Sequence, residues 1–233
     1  MESANIVGYN NTAARADLNW YAPTFLTVGA NTIDINSITL SDELGYVGWG
    51  DSMQVVGPKG NAIAGYFFFS DPSMDVSGKA TGPFWSDSDG NMVSVSFDSG
   101  DGIAIDNMNA YEFNIQNAGQ VPSGKVTVAA QGGLNWLGNP FPAPINLSAI
   151  TLKDADGNVG WGDSMQIVGP KGNSTAGYFF FADPSMDISG KATGPFWSDS
   201  DGNSVDLTLQ PGEGFAIDNM NNLIFDIEIA CPY

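Results

Sequence analysis

Three short segments carry the pattern Asp-x-Asp-Gly-Asn: Asp87-Ser88-Asp89-Gly90-Asn91, Asp199-Ser200-Asp201-Gly202-Asn203 and Asp154-Ala155-Asp156-Gly157-Asn158. Alternate carboxylates on a tight loop supply the clustered oxygens that calcium favours. Asp87, Asp89, Asn91, Asp199, Asp201, Asn203, Asp154 and Asp156 are therefore candidate calcium ligands. No glutamate follows at the position that completes an EF-hand loop. Asp-Gly is equally the chemistry of a hairpin turn with positive φ, and both readings stand at this point. Tryptophans beside carboxylates form a second set. Gly48-Trp49-Gly50-Asp51 and Gly160-Trp161-Gly162-Asp163 place an indole between glycines, and Phe84-Trp85-Ser86-Asp87 and Phe196-Trp197-Ser198-Asp199 add another. An exposed indole stacks on a sugar face while an aspartate accepts hydroxyl protons. Trp49, Asp51, Trp85, Trp161, Asp163 and Trp197 are thus candidate glycan contacts, unless these tryptophans close the ends of a core. Catalysis is poorly provided for. There is no histidine, which removes Ser-His triads and most zinc sites. A glycoside hydrolase needs two carboxyl groups, and Asp51/Asp163 or Asp75/Asp187 would have to serve. The expectation is a protein that is not an enzyme, with a glycoside hydrolase as the remote alternative.

The elements that carry these residues occur twice. Val47-Gly48-Trp49-Gly50-Asp51-Ser52-Met53-Gln54 recurs from Val159 to Gln166, and Gly78-Lys79-Ala80-Thr81-Gly82-Pro83-Phe84-Trp85 recurs from Gly190 to Trp197. From Val47 to Ser96 about forty of fifty positions match Val159 to Thr208. Leu18-Asn19-Trp20 matches Leu134-Asn135-Trp136 more loosely, with four extra residues in the first copy beyond that point. A period of roughly 112 residues is that of a domain rather than a solenoid repeat. The expected organisation is a first β repeat at 1–117, a linker at 118–124 and a second β repeat at 125–233. Short alternating runs bounded by Gly, Pro, Asn and Asp predict strands at Val126–Ala130, Leu134–Gly138, Ala149–Leu152, Met165–Val168, Gly177–Phe181, Ser204–Leu209, Gly214–Ile217 and Leu223–Ile229. Asp71-Pro72 predicts one capped helical turn. The fold class expected is all-β: two tandem homologous β-sandwich or barrel-like domains with Gly/Asp-rich loops.

Tyr66-Phe67-Phe68-Phe69 and its twin at 178–181 break the alternation. A strand projects side chains to both faces, so large aromatics here need cover on both sides. Either they are a covered central strand, or Tyr66, Phe68, Tyr178 and Phe180 are an exposed patch for assembly.

Charge narrows the partners. Asp and Glu number 26 against 7 Lys and Arg, a net charge of −19, which repels nucleic acid and anionic membranes. No apolar run approaches the ~18 residues of a membrane span. The single cysteine, Cys231, has no internal partner for a disulfide. The first residues lack the features of a signal peptide. The expectation is an extracellular or cell-surface location, as a mature secreted form carrying an added Met.

Leu134-Asn135-Trp136-Leu137-Gly138-Asn139-Pro140-Phe141-Pro142, followed by Pro211-Gly212-Glu213-Gly214-Phe215, resembles β-rich repeat modules of secreted and cell-surface proteins from Bacteroidetes- and Verrucomicrobia-like bacteria. In those modules W-N-x-x-G-N-P opens a unit and P-G-x-G-F lies near its end. Copy one departs from the pattern at Trp20-Tyr21-Ala22-Pro23-Thr24-Phe25 and Ser99-Gly100-Asp101-Gly102-Ile103. The resemblance implies an exported β module without an assigned ligand. The functional expectation is a non-catalytic structural or adhesive surface protein whose partner is itself, as a homo-oligomer or fibre built through β-edges. The alternative is a bivalent carbohydrate-binding module on a surface glycan, with calcium as the possible cofactor.

Overall fold

The computed structural model describes residues 7–47, 52–56, 62–108, 111–159, 164–168, 174–220 and 224–233. Strands dominate, every ladder between them is antiparallel, and the helical pieces among the described residues are four three-residue 3-10 turns. The protein is all-β.

Copy one contributes β1 (Val7–Ala14), β2 (Asp17–Tyr21), β3 (Thr32–Asp34), β4 (Ile38–Asp42), β5 (Gly45–Tyr46), β6 (Ser52–Val56), β7 (Ala62–Phe69), β8 (Phe84–Ser86), β9 (Ser96–Asp98), β10 (Ile103–Asn107) and β11 (Phe113–Gln120). They form a four-stranded sheet in the order β1-β11-β4-β5, a five-stranded sheet in the order β2-β10-β6-β7-β8, and a small β3-β9 ladder. Copy two repeats the set as β12 (Val126–Ala129), β13 (Gly133–Gly138), β14 (Ile145–Asn146), β15 (Ile150–Asp154), β16 (Gly157–Asn158), β17 (Ser164–Val168), β18 (Ser174–Phe181), β19 (Phe196–Ser198), β20 (Thr208–Leu209), β21 (Gly214–Asn219) and β22 (Asp226–Ile229). Its sheets run β12-β22-β15-β16 and β13-β21-β17-β18-β19, with a β14-β20 ladder, so the topology is the same.

Alternation explains which residues turn inward. β11 is buried at every second position through Phe113, Ile115 and Asn117, as a strand with one face on a core requires. Ile38 and Leu40 of the small sheet meet Phe68, Trp85, Ile103 and Ile105 of the large one in a single apolar cluster. Ile150, Leu152, Phe180, Trp197, Phe215 and Ile217 do the same in copy two. Two expectations need adjustment. The linker expected at 118–124 begins inside β11, which pairs as far as Val7↔Gln120 and is closed there by mutual bonds between Leu26 and Gln120, so residues 121–125 join the copies. The strand expected at Ser204–Leu209 is short, because Val205 pairs back onto Trp197 and Leu207 onto Leu147 before β20 starts. The strand expected at Leu223–Ile229 begins outside the described residues, and its described part, β22, starts at Asp226.

The two copies meet along a seam. Trp20 and Trp136, equivalent residues, stack with ring centroids 3.8 Å apart and planes 6° from parallel. The Ala22 N–H donates to the Gly212 carbonyl at 3.0 Å, and the Gly138 N–H to the Gly100 carbonyl at 3.2 Å. The second bond is the first with the copies exchanged. The isolated bridges Tyr21↔Glu213 and Asp101↔Leu137 exchange in the same way. The seam therefore has approximate two-fold symmetry, each copy offering the same patch to the other.

Candidate functional site

The most repetitive part of the chain is the loop from β7 through β8 to the turn beyond it. Positions 71–91 match 183–203 at twenty of twenty-one residues, Val76 and Ile188 being the exception. The Asp71 carboxylate accepts the Ser73 N–H at 2.9 Å and starts the 3-10 turn Pro72–Met74, as expected from the Asp-Pro pair. The chain then folds around Asp75. Its Oδ1 accepts the N–H groups of Ser77 (3.0 Å) and Met92 (2.8 Å) and the Ser77 hydroxyl (2.7 Å), and its Oδ2 accepts the N–H groups of Lys79 (2.6 Å) and Ala80 (2.8 Å). Asp187 makes the corresponding bonds to Ser189, Ser204, Lys191 and Ala192. Burial alone would raise these carboxyl groups, but the ring of N–H and O–H donors outweighs it and holds both well below the usual carboxylate range. A carboxylate so enclosed is committed to holding the loop and has no lone pair directed to a substrate, so neither Asp75 nor Asp187 is placed for glycoside hydrolysis.

Asp87 closes the next turn. Its Oδ1 accepts the N–H groups of Asp89 (3.0 Å) and Asn91 (2.9 Å), and Gly90 takes φ +80°. Asp199 binds Asp201 and Asn203 identically. Asp154 accepts the Asp156 N–H at the β15-β16 hairpin. The three Asp-rich segments are thus turns, each with its first carboxylate facing its own backbone. Asp87 and Asp199 are held below the usual range by the Asn91 and Asn203 N–H groups. Among the described residues no three Cys, Asp or Glu side chains converge on a point where a metal ion would sit.

Trp85 and Trp197 are not sugar platforms. Both are buried, and each indole N–H donates to a core carbonyl, Ile38 at 2.7 Å and Ile150 at 2.8 Å. With each indole packed in the core and its N–H already bonded there, neither side chain is left to face a ligand. Tyr66, Phe68, Tyr178 and Phe180 are corrected for the same reason. Phe68 and Phe180 are fully buried against Trp85 and Trp197, and Tyr66 and Tyr178 lie half-buried against the same clusters. The aromatic strand is core, with Phe69 and Phe181 stacked on Phe84 and Phe196 across its other face. Trp49, Asp51, Trp161 and Asp163 lie outside the described residues.

What the loop presents to solvent is apolar at its tip. Met74 and Val76 are 52% and 73% exposed, Met186 and Ile188 52% and 75%. Beside it in copy two runs a groove of about 390 Å³ between Lys191, Thr193, Gly194 and Pro195 on one wall and Asn146 and Asp206 on the other. Sequence reasoning reached Asp75 and Asp187 only as a default catalytic pair. The readable signal is the spacing Asp-x-Ser-Gly, in which the serine at the second position returns to its own aspartate. The asparagines of the Leu-Asn-Trp motif have a similar task. Asn19 bonds Arg15, Asp17 and Ile105, and Asn135 bonds Gln131, Gly133 and Ile217. Asn139 of Gly-Asn-Pro-Phe pins its own turn through Ala143, Leu209 and Phe141.

No protein-family model matches this chain, and neither the curated proteins nor the solved structures contain a detectable relative.

Proposed function

We propose that the chain is a non-catalytic, extracellular surface protein of structural or adhesive type, made of two tandem β-sandwich domains that display the same outward loop twice. The observation that carries this reading is the distribution of identity. The loop 71–91 and its twin keep an identical exposed methionine, Met74 or Met186, and an apolar β-branched residue, Val76 or Ile188, held up by a carboxylate hub whose donors all come from within its own copy. Exposed Met and Val or Ile side chains on a rigid loop suit contact with another protein surface, and two such loops allow one molecule to bridge two neighbours. The partner in this reading is a further copy of the chain.

Light scattering coupled to size-exclusion chromatography, over a range of protein concentrations, tests it. The expected result is concentration-dependent assembly that is lost when Met74, Val76, Met186 and Ile188 are all replaced by serine. Repeating the series with millimolar calcium and with chelator asks whether the Asp-rich turns contribute. A monomer at every concentration, with calcium present, refutes the proposal.

A further inference from the structure

The seam opens into a cavity of about 270 Å³ whose walls include Thr12, Trp20 and Tyr21 of copy one and Gln210, Gly212 and Glu213 of copy two. Its volume lies just below the range of drug-sized ligand sites, ~300 to ~1,000 Å³, and suits a single ring. Among the side chains that line it, Tyr21 has a buried hydroxyl with no hydrogen-bond partner among the described residues. An unpartnered buried donor costs free energy, and an oxygen that fills the role recovers it. Burial pushes the Tyr21 pKa up, so the phenol stays protonated.

The chemistry of the lining selects the ligand. The unpartnered Tyr21 hydroxyl lacks an acceptor oxygen, whereas the Glu213 carboxylate, which takes the Gln210 N–H through Oε2, accepts from a donor. An ammonium group brings donors without acceptors. An anion meets Glu213 and a chain of net charge −19. A neutral hydroxyl both accepts and donates, and the indole of Trp20 adds an apolar wall. We infer that this seam cavity binds a neutral, hydroxyl-rich ring, a sugar residue or the end of a sugar chain, with Tyr21 as donor and Glu213 as acceptor. Seating the ring moves the Pro211–Glu213 turn outward from Tyr21. Gly212 lies close over that ring, since a Cβ there would stand 2.9 Å from Tyr21 Cε2.

The site exists once per chain. Its symmetry-related counterpart across the seam is a cavity of about 490 Å³ lined by Asp98, Ser99, Asp101 and Val128, the equivalents of Gln210, Pro211, Glu213 and Thr12, with Lys125 beside them. There the position of Tyr21 is held by Leu137, which has no hydroxyl, and the unpartnered buried hydroxyl is that of Ser99 on the opposing turn.

The test is titration of the intact chain with glucose, galactose, mannose, xylose and N-acetylglucosamine, followed by calorimetry and tryptophan fluorescence. Saturable binding of at least one of them, at one site per chain, is expected, weakened about two- to tenfold in Tyr21→Phe by loss of one neutral hydrogen bond. Tyr21→Phe keeps the ring and removes an unpartnered hydroxyl, so its unliganded stability should equal or exceed that of the parent, which separates lost binding from lost folding. No saturable binding by any of the five, two sites per chain, or affinity unchanged in Tyr21→Phe overturns the inference. None of these outcomes bears on assembly through the outward loops, which is read by scattering alone.

Discussion

At the seam, Tyr21 stands where its counterpart is Leu137, Ala22 where it is Gly138, and Asp98-Ser99-Gly100-Asp101 where it is Gln210-Pro211-Gly212-Glu213. In the outward loop the copies differ at one residue of twenty-one. The difference follows from what each region touches. A loop that folds on its own atoms, as residues 75–92 fold on Asp75, meets the same environment in either copy. A residue near a two-fold axis meets its own counterpart, so two identical side chains compete for one space. Ala22 and Gly138 show this directly, because a Cβ on Gly138 would lie 2.2 Å from the Ala22 Cβ and 2.9 Å from the Glu213 carbonyl oxygen. The seam has room for one methyl group, and the copies have divided the two roles. Trp20 and Trp136 escape the conflict because flat rings stack.

The comparison is most severely tested in the cores behind the loops. Trp85→Ala and Trp197→Ala each delete a fully buried indole and should cost about 3–5 kcal/mol. The cost should be the same in both copies, since both indoles contact an equivalent phenylalanine and an equivalent carbonyl. Denaturant unfolding of the two variants measures it, and a large inequality would mean that the copies are not equivalent even where their sequences agree. At the seam the expected effect is smaller and of another kind. Gly138→Ala should cost about 1–3 kcal/mol by overpacking and disturb the fluorescence of the stacked tryptophans. Adding Ala22→Gly should restore part of the loss, since it exchanges the two roles. Gly194→Ala, with no atom within 4 Å of the added methyl, serves as the neutral reference in the loop.

Strand content and duplication were legible because alternation and self-similarity are local or linear signals. Trp85 and Trp197 stood open between core and glycan contact because a Trp beside Asp and Ser in a short segment looks the same whether its strand faces the core or solvent. That choice is made by the register Phe68↔Trp85, a pairing across sixteen intervening residues. The Asp-Gly-Asn turns were legible as turns, since Asx-type bonding and positive φ are encoded within five residues. The seam was not legible at all. Stacking of Trp20 on Trp136 depends on how the two copies pack against each other, and nothing in either Leu-Asn-Trp segment names its partner. Its trace in the sequence is negative: the places where two otherwise matching copies disagree.

Titration gives the smallest and most selective comparison, because the two regions respond to acid with opposite sign. Asp75 and Asp187 are depressed in the folded chain, so their stabilising contribution is complete above the unfolded aspartate pKa of about 3.9 and is lost as pH falls below it. Asp101, at the seam, is raised by burial and by the neighbouring Asp98 charge, against the Asp98 N–H that it accepts. Its contribution is complete below about pH 3.9 and is lost as pH rises through its elevated folded pKa. At pH 7 Asp75→Asn should therefore lower the melting temperature and Asp101→Asn should leave it unchanged or raise it. On acidification toward pH 3 the gap to the parent should close for Asp101→Asn and only begin to close for Asp75→Asn, whose depressed carboxyl keeps most of its contribution at that pH. Calorimetry from pH 3 to 7 measures all three curves. If both variants instead run parallel to the parent, neither carboxylate is coupled to folding as its surroundings demand, and the contrast between a self-contained loop and a shared seam loses its electrostatic half.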